Sequence, residues 1–256
     1  MGQQAVVTGR QLRQALESLG IRAAQAVVVH GSLRNFGRVE GGADAIVEAV
    51  VSAVGPEGLV TMPVYSSSLD EHDDLLRVPL PAAKVSTGAI PAAFARRPDA
   101  IKADHPLYAY AYWGPEAGQL ARDCQRLLAP YGKDQPLCCL YPRRGYIVQL
   151  GVDDNTNTSI HVAEELADPA YLADKKSVSR ITVDEFFALP RLRRREILKR
   201  HQTGPKRHFT RCTPLIQRAS LRRSATVGGA IVAVTDFVGL CELLVGELQK
   251  NPSLML

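Results

Sequence analysis

Along the first quarter of the chain the apolar residues change period several times, and each change marks a new element. Leu12, Ala15, Leu16 and Leu19 recur at helical spacing behind Thr8 and Gln11, a pair whose side chains and amides can satisfy each other as a capping box. Gly20 is suited to end that helix. The unbroken run Ala26-Val27-Val28-Val29-His30 has the length and β-branching of a strand buried on both faces. After the turn Gly31-Ser32-Leu33-Arg34-Asn35-Phe36-Gly37, helical spacing resumes at Ala43, Ile46, Val47, Val50, Val51 and Val54 and stops at Gly55-Pro56. Leu59 to Met62 read as another strand, halted by Pro63. Strand, glycine-bearing turn, helix, strand is a unit of the α/β class, so the expected architecture is a mixed, mostly parallel central sheet flanked by helices.

Ser66 to Ala82 is polar and punctuated by proline, the composition of a long loop. Gly88 to Ala95 suggests a short helix, and Tyr108 to Trp113 and Tyr146 to Leu150 suggest strands. The pattern is least legible between Ala167 and Ser224, where a helix is expected over Val183 to Leu198. The chain closes with a helix from about Thr235 to Leu248, striped by Val238, Cys241, Leu244, Val245 and Leu248. No internal repeat, low-complexity tract or linker interrupts the 256 residues. The expectation is therefore one domain over 1–256, with a variable, mostly helical insertion at about 176–224 before the closing helix.

Composition is that of an ordinary globular protein, 46% hydrophobic and 22% charged. The net charge of +5 changes the picture only once it is located. Between Arg191 and Arg223 lie 12 basic residues against the single acid Glu196, leaving 19 basic and 25 acidic residues elsewhere, a balance of −6. An acidic body with one basic segment differs from a uniformly basic nucleic-acid binder. No run of aromatic residues interleaves the arginines as a single-strand stacking platform requires, so no nucleic-acid partner is expected. A solvated helix face, an anion site or a contact with a second subunit are the readings left for that segment. The five cysteines are odd in number and form no CxxC pair, the usage of reduced thiols in a cytosol. With no charged-then-apolar leader and no apolar run near the roughly 18 residues of a membrane span, a soluble cytoplasmic protein without a membrane partner is expected.

Candidate chemistry concentrates in Asn155-Thr156-Asn157-Thr158-Ser159-Ile160-His161-Val162-Ala163-Glu164-Glu165. Thr158 or Asn157 can cap a helix on which Glu164 and Glu165, three and four residues after His161, reach the same face as the imidazole. A carboxylate beside an imidazole favours its protonated form and suits a general base near neutral pH, although the same spacing also describes an ordinary half-buried pair. Zinc helices need a second histidine four residues on, where this chain has Glu165, so no metal is expected. The Gly31–Gly37 turn offers backbone amides, a hydroxyl and a guanidinium at a strand's carboxyl end, and Ser86-Thr87-Gly88 opens the next helix with two hydroxyls. GxGxxG, GxxxxGK and GxSxG are all absent, which removes the main support for dinucleotide, nucleotide-hydrolase and serine-hydrolase sites. His105-Pro106 reads as a turn with a structurally held ring.

Four ordered blocks resemble the aminoglycoside 3-N-acetyltransferases: Val29 to Gly42, Gly55-Pro56-Glu57-Gly58-Leu59-Val60-Thr61-Met62-Pro63, Asp104-His105-Pro106-Leu107, and Asn157 to Glu164. The resemblance runs over about residues 8 to 175 and includes the closing helix more loosely. It implies an acetyl-CoA-dependent N-acetyltransferase with an α/β fold unrelated to the common GNAT enzymes. Ser32, Leu33, Phe36 and Gly37, with Ser86 and Thr87, would cradle the pantetheine and pyrophosphate. His161 would take a proton from a small-molecule amine as it attacks the thioester directly, without an acetyl-enzyme. The family's aspartate after the Met-Pro strand corresponds to Asp70 if one residue is inserted. Its further acid falls near Glu185 or Asp184, with Glu164 the other acid close to His161.

The acceptor implied by the resemblance is a polycation, for which Asp70, Glu71, Asp73 and Asp74 supply matching charge. The arginine-rich segment would repel it if it faced the cleft. It would then point outward, toward the 3′-phosphate of coenzyme A or the second subunit of a homodimer, or else the acceptor is another, less cationic specialised metabolite. A metal-assisted hydrolase built on His161, Glu164 and Glu165, and a non-catalytic anion binder built on the basic segment, are the alternatives from other classes.

Overall fold

The computed structural model describes residues 6–65 and 85–256. The Thr8–Gln11 capping box is closed: Gln11 Oε1 accepts from the Thr8 amide at 2.8 Å and the Thr8 hydroxyl accepts from the Gln11 amide at 3.3 Å. It opens α1 (Gly9–Ser18), followed by β1 (Ala26–Gly31), a 3-10 turn at Leu33–Phe36, α2 (Gly42–Val54) and β2 (Leu59–Pro63). Then come α3 (Ala89–Ala95), β3 (Ile101–Lys102), β4 (Tyr110–Trp113), α4 (Ala117–Cys124), β5 (Tyr146–Leu150) and α5 (Ser159–Ala167). Short helices α6 (Ala173–Ser177), α7 (Val183–Ala188), α8 (Arg191–Gln202) and α9 (Thr213–Arg218) precede the strands β6 (Arg222–Val227) and β7 (Ala230–Asp236), and α10 (Phe237–Lys250) closes the fold.

The strands described form one sheet in the order β3-β4-β2-β1-β5-β7-β6. Parallel pairing is confined to its centre, where β1 lies between β2 and β5 with Val28 opposite both Thr61 and Ile147. The pairs outside are antiparallel. The expected α/β class with a mixed, helix-flanked sheet is the observed one, but the expectation that the sheet is mostly parallel is corrected: among the described residues two of the six pairings, β1–β2 and β1–β5, are parallel and four are antiparallel, β6 and β7 being joined by a short turn that only antiparallel strands allow.

Because successive side chains of a strand point to opposite faces, β1 feeds two cores. Val27 and Val29 pack with α1, α2 and α3, and Ala26 and Val28 with α4, α5 and α10. Val27, Val28 and Val29 are fully buried, and each contributes about 1.5–3 kcal/mol relative to exposure. On the second face α5 packs along α10 in the same core, which fixes the position of His161.

Two further expectations need correction. The helix expected over Val183 to Leu198 is two helices, because Pro190 cannot join a preceding helix and drives Leu189 into an extended conformation, ψ 152°. The closing helix starts at Phe237, since Thr235 and Asp236 belong to β7 and the Asp236 carboxylate caps the helix by accepting from the Gly239 amide at 2.5 Å. The loop expected over Ser66 to Ala82 lies outside the described residues, as does Asp70 within it.

Gly114 leaves β4 at φ 128°, and a Cβ there would collide with the Gly58 carbonyl oxygen. Gly114→Ala is expected to cost about 3 kcal/mol, a fall of about 6–12 °C in melting temperature. Calorimetry checks this, and an unchanged melting temperature would contradict the close approach.

Candidate active site

The site is assembled by the segment that leaves the C-terminal end of β5. Asp153 accepts from the Asn155 amide and starts a 3-10 turn at Asp154–Thr156. Asp154 is buried, and its carboxylate accepts from both terminal nitrogens of Arg222, at 2.6 and 2.9 Å, and from the Thr213 hydroxyl at 2.6 Å. Burial opposes that charge, yet the Arg222 and Thr213 bonds hold the Asp154 carboxyl below its usual range. Of the two residues expected to cap α5, Asn157 does so: its Oδ1 accepts from the Ser159 amide at 3.1 Å, and Thr158 makes no capping bond. The start of α5 is thereby tied to α9 and β6.

On α5 the two glutamates separate. Glu164 Oε2 meets His161 Nδ1 at 3.0 Å, and Glu164 Oε1 accepts from the Tyr171 hydroxyl at 2.8 Å and from Arg207 Nε at 2.9 Å. Burial of Glu164 opposes its ionisation, but the His161 bond and charge, together with Arg207, bring its pKa down to about 2. The His161 side chain is about one third exposed, and Phe209 stands edge-to-face against its ring at 4.7 Å. With Nδ1 directed at Glu164, the ring's other nitrogen is the one available to a substrate.

Glu165 belongs to a different network. It accepts from the Gly132 amide at 2.9 Å, from Gln135 Nε2 at 2.7 Å and from the ammonium of Lys175. Lys175 also lies over the ring of Tyr108, whose hydroxyl meets His201 Nε2 at 3.0 Å. These buried contacts lock α5 to α6 and α8. Among the described residues no group of three His, Cys, Asp or Glu side chains is placed to hold a metal ion. The five cysteines are free thiols.

The other candidate residues are distributed as follows. Glu185 is in the first turn of α7, where its carboxylate accepts from the amide and hydroxyl of Thr182, at 2.8 and 2.9 Å, in a capping box. The neighbouring Asp184 is also in that first turn. The structure gives neither acid a bond to the His161–Glu164 pair. Asp70 lies outside the described residues. Ser32 follows β1 and lines a cleft of ≈ 880 Å³ with Asn35, Gln149, Thr156, Arg222 and Ser224. Leu33 packs against the core and Phe36 is buried within it, so the Phe36 ring supports the turn from below. Gly37 ends the turn at φ 80°. Ser86 and Thr87 donate to the carbonyls of Tyr65 and Pro63, at 3.0 and 2.8 Å, securing the entry to α3. Thr87 also lines a smaller cavity of ≈ 200 Å³ with His30, Tyr65 and Thr158. The His105 ring is held structurally, Nε2 donating to the Leu127 carbonyl and Nδ1 accepting from the amides of Leu107 and Tyr108.

Arg207, Tyr171 and Phe209 surround the dyad and were not singled out from sequence. Nothing in the local pattern distinguishes Arg207 from its eleven basic neighbours. The basic segment is also not one surface: Arg207 and Arg222 turn inward to Glu164 and Asp154, whereas Arg193 pairs with Glu196 on the exposed side of α8.

A helix-borne His–Glu dyad on α5, in an α/β protein with a large cleft at the carboxyl ends of β1 and β5, is the candidate site. The chain belongs to the aminoglycoside 3-N-acetyltransferase family, whose model matches residues 28–249. It is 30% identical over 176 residues to the SPbeta prophage-derived aminoglycoside N(3')-acetyltransferase-like protein YokD of Bacillus subtilis. That match covers 61% of this chain and 64% of the relative, less than two thirds of the relative's length. Among solved structures, apo aminoglycoside acetyltransferase AAC(3)-IVa superposes with a TM-score of 0.77 at 25% identity, covering 100% of this chain and 93% of that one. A histidine-to-alanine variant of the same enzyme in complex with a gentamicin gives 0.76 at 22%, with coverages of 100% and 93%. The binary complex of AAC-IIIb with CoASH gives 0.73 at 20%, with coverages of 96% and 97%.

The folded-state pKa of Glu164 is depressed, so the stability it confers is present above its unfolded value near 4.5 and is lost as the pH falls through about 2. Glu164→Gln is expected to cost about 3 kcal/mol near pH 6.5 and less than half of that at pH 3. Urea unfolding of both proteins at the two pH values checks this, and a pH-independent difference would contradict it.

Proposed function

We propose that this chain is an acetyl-CoA-dependent N-acetyltransferase that moves acetyl to an amine of a small molecule, the 3-amino group of an aminoglycoside being the leading acceptor. The observation that carries this is the bond between His161 and the buried, ionised Glu164 on α5, in a chain of this family. In the neutral ring Nδ1–H donates to Glu164, which leaves the lone pair of Nε2 to accept the amine's proton during direct attack on the thioester. Glu164 stays ionised throughout, orients the ring and stabilises the imidazolium that forms. Phe209 limits rotation of the ring from the other side.

The cleft fits the cosubstrate's chemistry. It is large, lies at the carboxyl ends of β1 and β5 where α/β proteins hold ligands, and is lined by hydroxyl and amide side chains that suit a long polar arm such as pantetheine. The CoASH complex of AAC-IIIb, a protein of the same fold, supports this choice. The gentamicin bound to the AAC(3)-IVa variant supports an aminoglycoside acceptor. One observation favours a second reading within the same chemistry: Arg207 places a guanidinium on the dyad's carboxylate, which disfavours a polycation and would suit a less cationic amine. The single-domain organisation, a cytoplasmic location and a homodimer remain parts of this proposal. No described helix is long and apolar enough to cross a membrane.

The test is release of coenzyme A thiol from acetyl-CoA, followed with a thiol reagent across 2-deoxystreptamine aminoglycosides and simpler amines, against an enzyme-free control. Release with the aminoglycosides is expected. Silence with those drugs in a protein that still binds coenzyme A would move the acceptor to less cationic amines, and failure to bind coenzyme A would overturn the transferase.

A further inference from the structure

Two buried polar side chains belong neither to the dyad nor to the networks that hold it. His30, near the carboxyl end of β1, and Gln149 of β5 are register partners across the parallel pair, 4% and 1% exposed. Nε2 of His30 and both polar atoms of the Gln149 amide have no hydrogen-bond partner among the described residues. An unpaired buried polar group costs about 1–3 kcal/mol, so such groups point to a partner that binds them. Each lines a hollow, Gln149 the large cleft and His30 the smaller cavity. Val152 and Thr156 line both, so the hollows adjoin. Thr158, on the wall of the smaller one, precedes His161 by three residues and lies on the same side of α5. The cleft and the smaller cavity therefore meet beside Gln149 and His30, with the start of α5 at Thr158 on their wall. Burial outweighs the nearby Asp154 charge and lowers the His30 pKa to about 4, so its ring is neutral at physiological pH, with one N–H and one lone pair.

We propose that His30 and Gln149 grip the acyl end of the cosubstrate, Gln149 pairing with an amide of the pantetheine arm and His30 Nε2–H donating to the thioester carbonyl oxygen. This rests on the acetyl-CoA reading above. A secondary amide presents one donor and one acceptor, and the two ends of a primary carboxamide match both. His30 supplies what the dyad lacks, a donor for the charge that develops on the acyl oxygen. As the amine nitrogen bonds to the acyl carbon, the carbonyl π pair moves onto that oxygen and the amine's proton passes to His161. When the pair returns, the carbon–sulfur bond breaks, and coenzyme A leaves as a thiolate that takes the proton from His161. A neutral donor already buried at the end of β1 needs little reorganisation at that moment, and loss of such a donor slows turnover by about 100-fold or more.

Titration calorimetry with coenzyme A and with adenosine 3′,5′-bisphosphate, which lacks the pantetheine arm, is paired with steady-state kinetics on Gln149→Met, His30→Ala and His30→Gln. Gln149→Met should weaken coenzyme A about 10-fold and leave the bisphosphate unchanged. His30→Ala should lower kcat about 100-fold with coenzyme A affinity preserved, and His30→Gln, which restores an N–H, should recover part of it. If the alanine variant does not fold, His30→Met fills the space without a donor and replaces it. Wild-type coenzyme A affinity in Gln149→Met, or wild-type kcat in His30→Ala, would overturn the assignment and leave the transferase standing. A wild-type protein that binds no coenzyme A would remove both.

Discussion

A carboxylate taken out of water must be paired, and around Glu164 that requirement organises the site. Its two oxygens bring together an imidazole from its own helix, a phenol from the turn after that helix and a guanidinium from the basic segment. Removing any one partner would leave a charge or a donor uncompensated in a place water does not reach. The pairing also has a chemical consequence. Arg207 and Tyr171 draw on one oxygen while His161 uses the other, so the carboxylate remains an anion that orients the ring instead of competing for its proton.

A second buried charge does comparable structural work one residue along. Glu165, held by Lys175, Gly132 and Gln135, anchors the far side of α5 to α6 and the turn at Gly132. Asp154, with Arg222 and Thr213, anchors the loop before it. Three buried acids therefore fix three points on one short stretch, and only the middle one faces the imidazole. The basic segment that looks anomalous in the sequence supplies two of the counter-charges.

What the sequence made legible was what local physics decides. The Thr8–Gln11 box, the β1–α2–β2 unit and α5 follow from spacing and capping chemistry that need no distant partner, and the structure places them where periodicity does. The hairpin of β6 and β7 was also legible and was missed. Gly228-Gly229 between β-prone residues is a strong two-residue turn signal, with Gly228 at φ 58°, but the arginines of β6 hid its alternation. The break at Pro190 is similarly local. By contrast, the choice between Glu164 and Glu165 as partner of His161 depends on Lys175 and Arg207, ten and forty-three residues beyond those acids. No spacing rule reaches that far. The same applies to His30 and Gln149, whose adjacency comes from strand register across more than a hundred residues of chain.

The measurement that tests the central claim most directly is turnover of His161→Ala alongside its affinity for coenzyme A. If His161 is the base, acetyl transfer falls to the level of the enzyme-free control while coenzyme A binds as it does to the wild-type protein, since the ring removes a proton and does not hold the cosubstrate. Undiminished turnover in a variant that binds coenzyme A normally would show that the dyad is a structural pair and that the proton leaves by another route.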